Sequence, residues 1–103
     1  MPMIDAGAGG PCAVSFTVVD GSGKAVYGAT VKVHITWGAF GVHKMDLQAG
    51  TNIDGKVKFT GIPARVHNAP LYFQAAKGTG TGVANWDPDL ECQGNHQIAL
   101  VKP

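Results

Sequence analysis

Thr30-Val-Lys-Val-His-Ile-Thr-Trp37-Gly-Ala-Phe-Gly41-Val-His-Lys-Met-Asp-Leu-Gln-Ala49 decides the fold. Val31, Val33, Ile35 and Trp37 alternate with Lys32, His34 and Thr36, the period of a strand with one covered face. Gly38-Ala-Phe-Gly41 reverses the chain, and a return strand runs from about Val42 to Ala49. Two registers compete. Pairing Val31 with Leu47, Val33 with Met45 and Ile35 with His43 sets Lys32 opposite Asp46, an attractive cross-strand pair. A one-residue slip puts Lys44 and Asp46 on the apolar face. The first register is expected, with Gly38-Ala39-Phe40 as a three-residue loop and Gly41 suited to a bulge.

The same period extends in both directions. Cys12, Val14, Phe16 and Val18 share one face of an earlier strand, which ends at the turn signal Asp20-Gly-Ser-Gly-Lys24. Thr51-Asn-Ile-Asp-Gly-Lys56 is a second turn, followed by a short strand around Val57 and Phe59 that stops at Gly61-Ile-Pro63. Residues 64–70 read as loop. Leu71, Phe73 and Ala75 mark a further strand, Gly78-Thr-Gly-Thr-Gly82 a flexible hairpin tip, Val83–Trp86 a weak strand, and Ile98 with Leu100 the last. No window holds helical periodicity. Seven short strands predict an all-β, antiparallel seven-stranded Ig-like or prealbumin-like β-sandwich. Residues 12–103 would form this single domain, and the Gly/Ala/Pro-rich residues 1–11 a flexible tail.

Composition narrows the function. The chain has 103 residues, 8 Lys+Arg against 7 Asp+Glu and a net charge of +1, so no basic face for nucleic acid is expected. No apolar run reaches the roughly 20 residues that span a bilayer, so no membrane insertion is expected. The start lacks the basic and apolar regions of a signal peptide. Cys12 and Cys92 stand near opposite ends, which suggests one disulfide; the alternative is two buried thiols. Closing so long a loop is worth about 4.5 kcal/mol in the chain-entropy model. A disulfide implies an extracytoplasmic location: secreted, periplasmic or cell surface.

Two segments carry a resemblance. Val18-Val-Asp20-Gly-Ser-Gly23-Lys-Ala-Val-Tyr-Gly28-Ala29-Thr-Val31 and Thr51-Asn-Ile-Asp54-Gly55-Lys-Val57-Lys-Phe59-Thr-Gly61-Ile-Pro63 resemble the carboxypeptidase regulatory-like domain group, related to transthyretin-like and bacterial Ig-like modules. The resemblance covers about residues 14–63. It implies a sandwich fold, and its fixed positions are turn Gly and Asp residues and apolar strand residues. Transthyretin-like hydrolases end in Tyr-Arg-Gly-Ser; this sequence ends Ile98-Ala-Leu-Val-Lys-Pro103, which argues against that activity.

Chemistry-bearing residues are sparse. His34 is expected to face outward and His43 inward, with His67 in a loop and His96 at the start of the last strand, so no zinc set of three or four ligands is readable. Asp87, Asp89 and Glu91 alternate and are weak candidates for Ca²⁺ ligands; a polar turn after a strand is the favoured reading of them. No Gly-x-Ser-x-Gly and no phosphate loop occurs, and no catalytic residue, metal or cofactor is assigned. Trp37, Phe40 and Trp86 are candidate ligand-binding aromatics; Trp37 shares the parity of Val33 and Ile35, which favours the core for it, while Phe40 in the turn fits either place equally well. The expected function is a non-catalytic accessory or interaction module, not an enzyme, attached to other domains of a longer parent chain. A carbohydrate- or ligand-binding module is the alternative, with protein or carbohydrate as partner. A small hydrolase is the third reading.

Overall fold

The computed structural model describes residues 2–102. Eight strands form: β1 (Met3–Asp5), β2 (Cys12–Val19), β3 (Thr30–Trp37), β4 (His43–Gly50), β5 (Lys56–Ile62), β6 (Leu71–Lys77), β7 (Gly80–Trp86) and β8 (Gln93–Ala99). They make two four-stranded sheets, β1-β5-β2-β8 and β4-β3-β6-β7. The fold is an all-β sandwich, as alternation demands. Period-two strands each bury one face, and two such faces close on a shared core. Phe16 from the first sheet meets Phe73 from the second at 4.5 Å between ring centroids, with Phe59 5.2 Å from Phe73.

Three expectations are corrected. The count is eight rather than seven. Met3–Asp5, within the leader read as loose, pairs in parallel with β5. Lys58 donates to the Pro2 carbonyl at 2.9 Å and Ala6 to the Thr60 carbonyl at 2.8 Å, so the leader covers an otherwise open strand edge. The run is three residues long, between Pro2 and Ala6-Gly7, so composition hides it. Nor is the pairing wholly antiparallel: β2 also pairs in parallel with β8 over seven residues, from Ala13↔Gln93 to Val19↔Ala99. β8 starts at Gln93, ahead of the expected start at His96, in a polar stretch that carries no apolar marker.

The hairpin register is corrected as well. Val33 lies opposite Leu47, Ile35 opposite Met45, Trp37 opposite His43 and Lys32 opposite Gln48. The shift from the expected register is two residues. Every side chain therefore keeps its face and only its partner changes, which the hydrophobic pattern cannot detect. The reversal takes residues 38–42 rather than three. It includes a single 3₁₀ turn, Ala39–Gly41, with Phe40 in the left-handed region at φ 58°. His43 thus falls beyond the core and is exposed.

Both ends of the sandwich are closed by the chain itself. Cys12 and Cys92 are joined by a disulfide, tying the start of β2 to the segment before β8. At the other end, Leu100 donates to the Val19 carbonyl at 2.8 Å, and Val101 pairs with Thr81. Residues 100–101 therefore cross from one sheet to the other. Gly82 permits this approach: a Cβ there would lie 2.4 Å from the Ala99 carbonyl oxygen.

Candidate functional site

The outer face of β4-β3-β6-β7 is where polar side chains collect. Parity sends Lys32, His34 and Thr36 outward from β3, Asp46 and Gln48 from β4, and Tyr72 and Gln74 from β6. β3 and β6 pair only from Thr30↔Ala76 to Lys32↔Gln74, although both strands continue. Beyond Lys32 the β5–β6 connection takes over. The Asn68 side chain accepts from Thr36 N at 3.0 Å and donates to the His34 carbonyl at 2.8 Å, while His67 N donates to the Thr36 carbonyl at 2.6 Å. One amide side chain thus replaces a strand's worth of pairing.

The splay leaves an open groove of about 510 Å³, with Lys32, His34, Asp46, Asn68, Tyr72 and Gln74 along it. His34 Nδ1 lies 2.8 Å from Asp46 Oδ1. An ionised carboxylate can only accept, so Nδ1 carries a proton, and in the neutral imidazole Nε2 keeps its lone pair. Tyr72 adds a half-exposed ring, Asn68 and Gln74 amides, and Lys32 an ammonium. The groove therefore offers a flat apolar surface, an oriented proton acceptor and several hydrogen-bond partners.

The residues singled out from the sequence are distributed otherwise. Trp37 is half-buried and stacks on His43 at 5.3 Å between centroids. Phe40 is 95% exposed at the hairpin tip, whereas Trp86 is 2% exposed, packed edge-on to Phe73. The three aromatics do not share one surface. Asp87, Asp89 and Glu91 turn to three different partners. Asp87 Oδ1 accepts from Asp89 N, Asp89 faces Arg65 Nε at 4.0 Å, and Glu91 bonds His96 Nε2. Tyr72, Asn68, Gln74 and Asp46 were not singled out as site residues. Their one signal was parity opposite the apolar stripe, and Asn68 lies in a loop with no periodic signal at all.

No known family profile matches the chain, and no curated protein does. Solved structures do. Catechol 1,2-dioxygenase from Acinetobacter sp. ADP1, inhibited by bound mercury, superposes with a TM-score of 0.62 at 11% identity, over 98% of this chain and 56% of that one. Catechol 1,2-dioxygenase from Pseudomonas arvilla C-1 gives 0.57 at 13% identity, over 98% and 56%. Hydroxyquinol 1,2-dioxygenase from Pseudomonas putida DLL-E4 gives 0.52 at 19% identity, over 82% and 43%. The chain spans about half the length of these proteins, and the likeness is one of fold.

That likeness overturns the expectation of a non-catalytic module and of no enzyme. The sandwich taken for a scaffold is one on which ring-cleaving enzymes are built. Dioxygenation needs a centre that activates O₂, commonly a metal. Among the described residues no three of His, Cys, Asp or Glu converge where one ion could be held. The groove brings together one imidazole, one phenol and the Asp46 carboxylate, whose Oδ1 is taken up by His34 Nδ1, so this donor set does not fit a metal centre.

Proposed function

We propose that the chain is the β-sandwich unit of an enzyme and takes a small hydroxylated aromatic molecule in the groove between β3 and β6. The observation that carries this reading is the imidazole of His34, oriented by Asp46, in one groove with the exposed ring of Tyr72. The ligand ring stacks on Tyr72. Its hydroxyl donates to His34 Nε2, and Asp46 stabilises the imidazolium that forms as the proton transfers. Asn68 and Gln74 hold a second hydroxyl. The fold shared with enzymes that are named for catechol and hydroxyquinol supports this ligand class. The turn motifs of the carboxypeptidase regulatory-like type support reading the sandwich as one unit of a longer parent protein. The Cys12–Cys92 disulfide supports an oxidising, extracytoplasmic setting.

The test is a titration with catechol followed by amide and imidazole NMR shifts. Saturable shifts at His34, Asn68 and Tyr72 are expected, with affinity falling at least about tenfold in Tyr72→Ala and in His34→Gln. Tyr72 and His34 are on the outer face, so both variants keep the fold. Shifts absent from the groove, or affinity unchanged in both variants, overturn the reading.

A further inference from the structure

Near the crossover of residues 100–101 lies a second opening, of about 640 Å³, toward the other end of β6 from the groove. Val26, Leu100 and Val101 give it an apolar lining, and Lys77 and Lys102 stand along it. Val101 is 68% exposed, although its backbone is fixed by two hydrogen bonds with Thr81.

The charges point to the class of ligand. Among the described residues the acidic side chain on this opening is that of Asp20, and one oxygen of its carboxylate is already engaged. Oδ1 accepts from Ser22 N at 2.9 Å, Ser22 Oγ at 2.7 Å and Lys24 N at 3.0 Å. Among the described residues no ion pair engages Lys77 or Lys102. The Lys77 ammonium lies over Gly28, where a Cβ would come within 3.0 Å of Nζ, so the missing side chain makes room for it. We infer that this end of the sandwich binds a short aliphatic monocarboxylate, its head on Lys77 and Lys102 and its chain along Val26, Leu100 and Val101. A lysine ammonium suits one carboxylate as a point charge. With Asp20 close by, the site favours a singly charged head over a dianion.

Calorimetric titration with octanoate tests this, with acetate and octanol as the two halves of the ligand. Octanoate is expected to bind saturably, at least about tenfold more tightly than either. Lys77→Gln should weaken octanoate about tenfold and leave octanol unchanged. Val101→Asn, at an exposed side chain, should weaken octanoate several-fold. Lys58→Gln, on β5, should change nothing. A urea midpoint for each variant confirms that it is folded. No saturable octanoate binding, equal affinity for octanol, or the same loss in Lys58→Gln as in Lys77→Gln overturns the site.

Discussion

Two turns in this molecule have the same hydrogen bonds from backbone donors and different surroundings. In Asp20–Lys24, Asp20 N donates to the Lys24 carbonyl, Gly23 N to the Asp20 carbonyl, and Asp20 Oδ1 accepts from the backbone of Ser22 and Lys24. In Asn52–Lys56, Asn52 N donates to the Lys56 carbonyl, Gly55 N to the Asn52 carbonyl, and Asn52 Oδ1 accepts from Asp54 and Lys56. Both place glycine at the fourth position with positive φ, 86° at Gly23 and 73° at Gly55. One turn stands in solvent. The other is pressed into the sandwich, with Gly55 buried and its carbonyl accepting from Val18 N at 2.7 Å. Equal local chemistry thus yields unequal stability, because tertiary contact decides how much each glycine matters.

The largest expected effect separates the two. A Cβ on Gly55 would lie 2.5 Å from the Val18 carbonyl oxygen and 3.1 Å from Val26 N. Those are backbone atoms and cannot swing aside. Gly55→Ala adds a left-handed penalty of roughly 1–2 kcal/mol to an overpacking cost of roughly 1–3 kcal/mol. A loss of about 2–5 kcal/mol in urea unfolding is expected. Gly23→Ala meets nothing within 4 Å. It should cost only the conformational part, about 1–2 kcal/mol. Equal losses in the two variants would break the comparison.

This contrast also explains what the sequence could show. Asp20-Gly-Ser-Gly-Lys24 and Asn52-Ile-Asp-Gly-Lys56 are legible because an Asx side chain and a left-handed glycine act within five residues. The apolar faces of β2, β3, β5 and β6 were legible for the same reason, as alternation is local. What failed was non-local. The hairpin register moved by two because strain at Phe40 and the size of the reversal leave no mark on alternation. β1 needed the open edge of β5, and β8 needed the edge of β2. The candidate groove needed Asn68, 34 residues from His34, to hold β3 where β6 departs. Its polar residues were visible individually, but their convergence was not. The resemblance located the turns, which serve the fold, and passed over the outer face, where the candidate chemistry lies.

The smallest expected effect tests whether the matched turns differ only in charge. The hydrogen bond from the Ser22 side chain, then those from the Lys24 and Ser22 backbones, hold the Asp20 carboxyl below its ordinary value of 3.8. A lowered folded value means that the folded state releases this proton more readily than the unfolded chain. The stabilisation is therefore fully present above about pH 4, where both states are ionised, and it is lost as pH falls through the lower folded value. Asn52, an amide that accepts the two backbone bonds and has no counterpart of the Ser22 hydroxyl, contributes no such dependence. Exchanging the two should exchange the behaviour. Asp20→Asn is expected to flatten the acid limb of the urea midpoint below about pH 4, and Asn52→Asp to steepen it. Both curves should rejoin the parent's shape near neutrality, since neither site titrates there. The effect is small because Asp20 is solvated, so the slope with pH, rather than the midpoint at any one pH, is the quantity to read. An unchanged acid limb in Asp20→Asn would mean that the turn's bonds are equally good to the protonated acid, and the two turns would then be alike in charge response as well as in geometry.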